Sequence, residues 1–176
     1  MSNVAYVLKD KGNTAIYTVK PNSTVLDAIK LMADKGIGAL VVTDENNKVA
    51  GILSERDYTR KVVLMERTSK DTLVSEIMTA KVLTVPTTAS VKECLKLMTD
   101  KHLRHLPVVE DEQLLGFISI GDLVKIAMED QNKLIDQLQQ YISGSYMLLL
   151  LLFPHSFGCI ISEVSLLYLF LFFHDI

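Results

Sequence analysis

The sequence predicts a mixed α/β fold of the α+β type, in which two β-α-β-β-α units pack as one pseudo-twofold module. Three observations predict it: the chain repeats itself, each repeat alternates strand and helix patterns, and the charges are confined to one part. Of 39 charged residues, 37 precede residue 145, and only Glu163 and Asp175 follow it. The predicted organisation is therefore a first unit over residues 1–70, a second over 71–144, and a hydrophobic tail over 145–176.

The composition excludes some classes of protein. The 176-residue chain is 49% hydrophobic and has a net charge of −3. Nucleic-acid-binding proteins usually carry a basic surface, and disordered chains are less apolar. The two cysteines, Cys94 and Cys159, form neither a disulfide framework nor a CxxC pair. We therefore expect a globular module with no nucleic-acid partner.

The repeat emerges when the chain is shifted against itself. A shift of 66 residues superposes Lys30-Leu31-Met32 on Lys96-Leu97-Met98. After one deletion the shift becomes 65, which superposes Asp57 on Asp122. A unit of about 60 residues buries too little surface to be stable alone, so we expect the two units to share a core.

The strands are predicted from short runs rich in apolar and β-branched residues, with polar turns between the second and third runs. In the first unit these runs are Ile16–Val19, Ala39–Thr43 and Val49–Leu53. In the second unit they are Val82–Val85, Leu106–Val109 and Leu114–Ile118. The repeat thus predicts two similar sheets.

The helices are predicted from apolar residues at helical spacing behind a Ser or Thr that can cap the first turn. One helix begins near Val25 and its counterpart near Val91, and the closing helices begin at about Glu55 and about Gly121. Short segments before each unit also match loosely at a shift of 70, Val4–Leu8 against Val74–Met78. The last helix is expected to continue over Gln131–Ile142 with an apolar stripe of Leu134, Leu138 and Tyr141, and to stop at Gly144.

Four motifs stand out, and the last two are copies of one signature, one in each repeat. They are Val74-Ser75-Glu76-Ile77-Met78-Thr79, Arg104-His105-Leu106-Pro107-Val108-Val109, Gly51-Ile52-Leu53-Ser54-Glu55-Arg56-Asp57 and Gly116-Phe117-Ile118-Ser119-Ile120-Gly121-Asp122. Together they resemble a tandem pair of cystathionine-β-synthase (CBS) domains, called a Bateman module, over about Asn3–Ser143. The whole chain is similar to stand-alone CBS pairs of bacteria and plant organelles. The resemblance implies two clefts for adenosyl ligands (AMP, ADP, ATP or S-adenosylmethionine) and face-to-face pairing of modules as a homodimer.

The two Ser-x-x-Asp motifs have two interpretations. Ser54 with Asp57, and Ser119 with Asp122, form patterns close to a helix capping box. A helix start also presents free N–H groups to a phosphate, and its carboxylate can accept hydrogen bonds from both hydroxyls of a ribose. The capping interpretation does not need a ligand. The family resemblance favours ribose contact by at least one aspartate.

The residues before the middle strands predict that the two clefts are unequal. Arg104 offers a planar fork for phosphate, and His105 is a weaker candidate for the same contact. Their counterparts Gly38 and Ala39 cannot bind phosphate through side chains. By resemblance the predicted ligand-binding set is completed by three further residues: Thr18 and Thr84 on the adenine side, and Pro107 in the Arg104 motif.

No pattern in the sequence indicates catalysis. His102-x-x-His105 has no third ligand near it in the sequence, and there is no triad order, Walker-type loop or HExxH motif. We therefore predict no enzyme, no required cofactor and no metal site. The predicted function is a regulatory module that senses an adenosyl ligand and transmits a conformational change to a regulated protein. The alternatives are a homodimerisation module with empty clefts and, less favoured, an enzyme acting at the second cleft.

The tail has three interpretations. Between Met147 and Phe173 the apolar runs are interrupted by Pro154 and Glu163, whereas a spanning helix needs about 20 continuous apolar residues. The segment is a poor membrane anchor over 147–173, a partner-covered or re-entrant hairpin, or an abnormal C-terminus, which we favour. The expected location is the cytoplasm, with an organelle matrix or membrane association through the tail as alternatives.

Overall fold

The computed structural model describes residues 2–12 and 15–152, with side chains up to residue 143. The helices are α1 (Val4–Asp10), α2 (Val25–Lys35), α3 (Glu55–Tyr58), α4 (Val74–Ile77), α5 (Val91–Lys101) and α6 (Ile120–Leu152), and a π-helical turn (Thr59–Val63) continues α3. The strands are β1 (Thr18–Val19), β2 (Ala39–Thr43), β3 (Val49–Ser54), β4 (His105–Glu110) and β5 (Gln113–Ser119). Contacts divide the chain into two units, Met1–Asp130 and Gln131–Ile176, and the first contains both sheets.

The two sheets repeat the same pairing. In the first, β1 lies parallel to β2, and β2 lies antiparallel to β3. In the second, β4 pairs antiparallel with β5 so that Leu106 faces Ile118, as Leu40 faces Leu53 in the first. All five residues of β2 are buried, which is why this strand reads as a continuous apolar run. The predicted α+β fold of two similar units is confirmed.

The predicted strand Val82–Val85 is wrong in extent, because only a single parallel bridge between Val85 and Val108 forms. The Val85 N–H donates to the Pro107 carbonyl at 3.1 Å, and the Val109 N–H donates to the Val85 carbonyl at 3.0 Å. In a parallel ladder the next bond would run from the nitrogen of residue 107 to the carbonyl of Leu83. Proline has no N–H to donate, so the ladder ends.

Two short helices, α1 and α4, each precede one repeat but pack on the other. We call them the approach helices, and they are thus exchanged between the repeats. Val4 and Val7 of α1, which precede the first repeat, lie in the buried cluster of the second together with Met98 and Leu106. Val74 and Ile77 of α4 lie in the buried cluster of the first, with Met32 and Leu40. The buried residues therefore form two clusters rather than the single shared core that the sequence predicted. The exchanged helices interlock the repeats.

Matching backbone hydrogen bonds fix both approach helices. The Val4 N–H donates to the Ala89 carbonyl, and the Val74 N–H donates to the Ser23 carbonyl, each at 2.9 Å. Val4 and Val74 are related by the shift of 70, and Ala89 and Ser23 by the shift of 66. The exchange is therefore part of the repeat and not an irregularity of one copy.

Gly51 and Gly116 mark the points where an approach helix meets a sheet. A Cβ at Gly116 would lie 2.5 Å from Cδ2 of Leu8, and a Cβ at Gly51 would lie 2.7 Å from Sδ of Met78. A glycine before a helix start can leave room for close approach of another group. The room is filled instead by Leu8 and Met78, so these glycines serve the packing of α1 and α4.

Gly144 does not end the last helix, because α6 continues to Leu152. A glycine inside a helix costs only about 1 kcal/mol relative to alanine, and the residues after it are mostly methionine and leucine, which favour a helix. Among the residues that the structure describes, no helix is long and apolar enough to cross a membrane. Most of the predicted tail contact over 147–173 lies outside the described residues.

Fragments cut at the predicted boundary should not fold separately. Residues 1–70 carry α1 but lack α4, and residues 71–144 carry α4 but lack α1, so each fragment holds the approach helix of the other core. We expect neither fragment to show a cooperative thermal transition by circular dichroism, and the mixture to regain one. Independent transitions in the separate fragments would show that the exchange is not needed for folding.

Gly116→Ala should lower the free energy of unfolding by about 1–3 kcal/mol, because the added methyl overlaps Leu8 in a packed region. Combining it with Leu8→Ala should recover part of that loss in urea unfolding. Gly121→Ala is the matched control, since its Cβ would lie 3.6 Å from Oγ of Ser119 in ordinary contact. Equal losses for Gly116→Ala and Gly121→Ala would contradict the packing explanation.

Candidate functional site

Two cavities lie at the boundary between the repeats. The first cleft has a volume of about 440 Å³ and the second about 230 Å³. Each combines the beginnings of the first and middle strands of one repeat with the end of the third strand of the other. The first cleft joins residues 15–17 and 37–39 to residues 115–117 and 119, and the second joins 81–83 and 102–105 to 52, 54, 56 and 57.

The structure divides the predicted site residues between these clefts. The second cleft brings Ser54 and Asp57 of the first repeat together with Arg104 and His105 of the second. Gly38, Ala39 and Ser119 border the first cleft, and His105 borders this cleft as well. Four predicted residues are not among the described residues that border either cavity: Thr18, Thr84, Pro107 and Asp122.

Both Ser-x-x-Asp motifs form helix caps. The Ser54 N–H and Oγ both donate to Oδ2 of Asp57, at 3.1 and 2.6 Å, and the Asp57 N–H donates back to Oγ of Ser54 at 3.3 Å. In the second copy the Ser119 N–H donates to Oδ2 of Asp122 at 2.8 Å, and the Asp122 N–H donates to Oγ of Ser119 at 3.2 Å. The caps orient the two carboxylates whether or not a ligand is bound.

The second cleft is strongly basic. Arg56, Lys81 and Arg104 border it, and its one carboxylate, Asp57, is already paired. Oδ1 of Asp57 lies 3.0 Å from Nζ of Lys61, one turn along the same helical segment. The excess of positive charge suits a phosphate, which guanidinium groups bind in a fixed geometry.

The first cleft has aromatic walls and balanced charge. Tyr17 and Phe117 border it, and Lys11 is its bordering cation. Nζ of Lys11 donates to Oδ2 of Asp122 at 2.9 Å and to the carbonyl of Phe117 at 3.0 Å. Burial opposes ionisation of Asp122, but hydrogen bonds from the Ser119 backbone and from Lys11 hold the pKa of this carboxyl below its usual value. Lys11 and Asp122 thus form a neutralised pair.

His105 borders both clefts and is held in one orientation. Its ring stacks on Phe117, with ring centroids 5.3 Å apart and planes 16° from parallel. Burial lowers the pKa of His105, and the positive charges of Arg104 and Lys11 lower it further, against a smaller opposite effect of Asp122. The imidazole is therefore neutral near pH 7 and can offer a hydrogen bond to a phosphate, but no charge.

Three bordering cations are absent from the sequence-based candidates. Lys11 and Lys81 are related by the shift of 70 that aligns the approach segments, so extending that alignment by three residues would have found both. Arg56 occupies an unspecified position of the Ser54-x-x-Asp57 motif, so the motif alone does not indicate it as a candidate. The assignment of Arg104 to the cleft of Asp57 could not be found by alignment, because a shift compares the repeats without showing how they face each other.

Comparison with known families agrees with this architecture. A family model described as "CBS domain" matches residues 9–64 and 74–129. The chain belongs to the CBS domain family. The family resemblance drawn from the sequence is thereby confirmed, and the two matches correspond to the two repeats of the CBS pair.

Related proteins are similar in sequence and in structure. A mitochondrial CBS domain-containing protein of Arabidopsis thaliana is 38% identical, over 82% of this chain and 74% of its own. A solved protein with CBS domains from Burkholderia ambifaria is 58% identical with a TM-score of 0.69, over 74% of this chain and 96% of that one. The CBS pair of protein MJ0100, solved with 5′-methylthioadenosine and S-adenosylmethionine, shares the fold at 22% identity and a TM-score of 0.65, over 74% and 98% of the two chains.

His105 should make the stability of this CBS pair sensitive to mild acid. Since burial and two cations lower its pKa in the folded state, the unfolded chain binds more protons below the ordinary value of 6.5. The stabilisation is complete above that pH and is lost as the pH falls through the lower pKa of the folded state. Urea unfolding from pH 7.5 to 5 should therefore show a smaller loss of stability for His105→Gln than for the wild type.

His102→Gln is the control for that experiment, because it also removes one histidine from the border of the second cleft. If the wild type and His105→Gln lose stability in parallel as the pH falls, the ring of His105 is not the group that resists protonation.

Proposed function

We propose that this CBS pair is a regulatory module that binds an adenosyl ligand and transmits a conformational change to a partner protein, without catalysing a reaction. The observation that carries the proposal is the composition of the second cleft. Asp57 of one repeat and Arg104 of the other border the same cavity, and apolar residues border it as well. The carboxylate suits a ribose, the guanidinium suits a phosphate, and the apolar residues suit a base.

The second cleft is the proposed nucleotide site. Ile52, Val82 and Leu83 supply apolar surface for an adenine. Asp57 would accept hydrogen bonds from the ribose hydroxyls, and Arg104 would hold the phosphate together with the other bordering cations. AMP, ADP and ATP all fit this description, because each joins a phosphate to the same nucleoside.

The first cleft suits an adenosyl group that has little negative charge. Its aromatic residues Tyr17 and Phe117 offer stacking surfaces for a purine, and its lysine is already neutralised by Asp122. S-adenosylmethionine and methylthioadenosine have an adenosyl group and no phosphate. The solved MJ0100 pair is described with both of these ligands, which supports the view that the fold accepts them.

Transmission would follow from the placement of the clefts. A ligand that touches both repeats favours the relative orientation in which both sets of contacts are made. A partner that recognises this orientation would then bind with an affinity that depends on the ligand. By the same coupling, the affinity for the ligand would depend equally on the partner. We also propose a homodimer, because Leu134, Leu138 and Tyr141 of α6 are exposed.

The compartment is also a proposal. The cytoplasm remains our first choice, and the mitochondrial relative favours the alternative of an organelle matrix. An empty dimerisation module is the second candidate function. It would share the fold and the exposed stripe of α6 but would bind none of these ligands.

Two substitutions test the nucleotide site by calorimetric titration of the full chain. Asp57→Ala should weaken both AMP and adenosine about tenfold to hundredfold, because a hydrogen bond to a charged group contributes about 1.5–3 kcal/mol. Arg104→Ala should weaken AMP much more than adenosine, which has no phosphate. Arg60→Ala is the matched control, since Arg60 is exposed and is not among the described residues that border a cleft.

The capping interpretation predicts a different result for Asp57→Ala. A lost cap lowers the melting temperature at a cost of about 1 kcal/mol but leaves the affinity of the folded protein unchanged. Unchanged affinity in both variants would mean that these residues shape the fold only. Absence of any binding to the wild type would favour the empty dimerisation module, and turnover of a ligand would favour the enzyme.

A further inference from the structure

The two Ser-x-x-Asp carboxylates are placed differently relative to their clefts. In the second cleft Asp57 borders the cavity, and its partner Lys61 is not among the described bordering residues. In the first cleft the order is reversed, since Lys11 borders the cavity and Asp122 does not. One carboxylate therefore faces its cleft with a lysine behind it, whereas the other has a lysine between it and the cleft.

The contacts of Lys11 hold it in this covering position. Its ammonium group donates to Oδ2 of Asp122 at 2.9 Å and to the carbonyl of Phe117 at 3.0 Å. The side chains of Lys11 and Asp122 are 32% and 25% exposed and that of Asp57 is 19% exposed, so the two carboxylates differ in what separates them from the cleft and not in overall shielding from water. Partial burial makes such an ion pair harder to separate than one on an open surface.

The different lengths of the approach helices explain why this lysine is there. After α4 ends, the chain extends and the Thr79 N–H donates to the carbonyl of Ile52 at 2.9 Å. The equivalent carbonyl in the second repeat belongs to Phe117, but α1 continues to Asp10, so the equivalent of Thr79, Lys9, is still part of the helix. The ammonium group of Lys11 supplies the missing donor and reaches Asp122 at the same time.

The arrangement of Lys61 is different. Its ammonium group lies 3.0 Å from Oδ1 of Asp57 and donates to the carbonyl of Ile77 at the end of α4, at 2.6 Å. It thus fixes the carboxylate from the side of the approach helix and leaves Asp57 on the wall of the cavity.

We propose that Lys11 determines the ligand preference of the first cleft by covering Asp122, so that ribose hydroxyls reach this carboxylate only when the lysine moves away. This inference rests on the proposed adenosyl function and goes beyond it. In the second cleft Asp57 itself borders the cavity, so an adenosyl ligand fills that cleft first and the first cleft takes its uncharged adenosyl ligand more weakly. Occupation of the first cleft must break the contacts of Lys11 with the Phe117 carbonyl and with Asp122, which help to tie the end of α1 to β5 and α6.

Adenosine tests this inference, because it has a ribose and no phosphate that Lys11 could attract. In calorimetric titration the wild-type full chain should bind adenosine tightly at one site only. Lys11→Met keeps the length of the side chain but removes the charge, and should add a second site about tenfold to hundredfold tighter than in the wild type. Lys11→Arg should behave as the wild type, since it retains the cation.

The double variant Lys11→Met/Asp122→Ala separates exposure of the carboxylate from mere enlargement of the cleft. It should lose the second site, because no carboxylate remains to be uncovered. Lys61→Met is the matched lysine variant of the second cleft and should not raise its affinity. Melting temperatures show whether each variant is folded. If Lys11→Met does not fold, Lys11→Gln repeats the test, because it keeps a donor for the Phe117 carbonyl.

Unchanged or weaker binding of adenosine at the first cleft of Lys11→Met would overturn the inference, and in the weaker case Lys11 would itself be a ligand contact. If AMP binding to the wild type still depends on Asp57 and Arg104, only the inference about Lys11 has failed. If neither AMP nor adenosine binds to the wild type or to any variant, the proposed function has failed together with it.

Discussion

The exchange of approach helices is the constraint on which the rest of the module depends. The helix that completes the buried cluster of each repeat comes from the segment preceding the other repeat. The chain must therefore bring both repeats together before either core is complete. The same packing requires glycine at positions 51 and 116, where Met78 and Leu8 occupy the space of a side chain. The clefts lie at the boundary between repeats that this exchange has already joined.

Much of the fold was predictable from the sequence because buried positions repeat. With the exception of Val82–Val85, the shifts of 66 and 65 residues place each predicted strand and helix within a few residues of the observed one, since the same apolar positions recur in both copies. The errors arise where one residue alters a pattern that periodicity cannot show. Pro107 removes the N–H that a second parallel bond needs, and Gly144 is tolerated within a helix of leucines.

The site was less predictable, because alignment relates equivalent residues and not neighbouring ones. Arg104 and Asp122 belong to one repeat, yet the arginine borders the cleft of Asp57. Lys11 could have been found by extending the alignment of approach segments, but its place in front of Asp122 could not. That place follows from the length of α1, which continues a turn beyond its counterpart α4 and so exchanges a backbone donor for an ammonium group.

The two caps show why a duplicated motif is weak evidence for a ligand. Ser54 with Asp57 and Ser119 with Asp122 close their helix starts with similar hydrogen bonds, so helix stability alone would keep both motifs. What distinguishes the clefts is the residue before the middle strand, which is Arg104 in one cleft and its counterpart Gly38 in the other. Binding energy for an anion comes from that position, because the helix starts are shared by both copies. The argument for a phosphate therefore rests on the residues in which the repeats differ, because the residues they share are already accounted for by the fold.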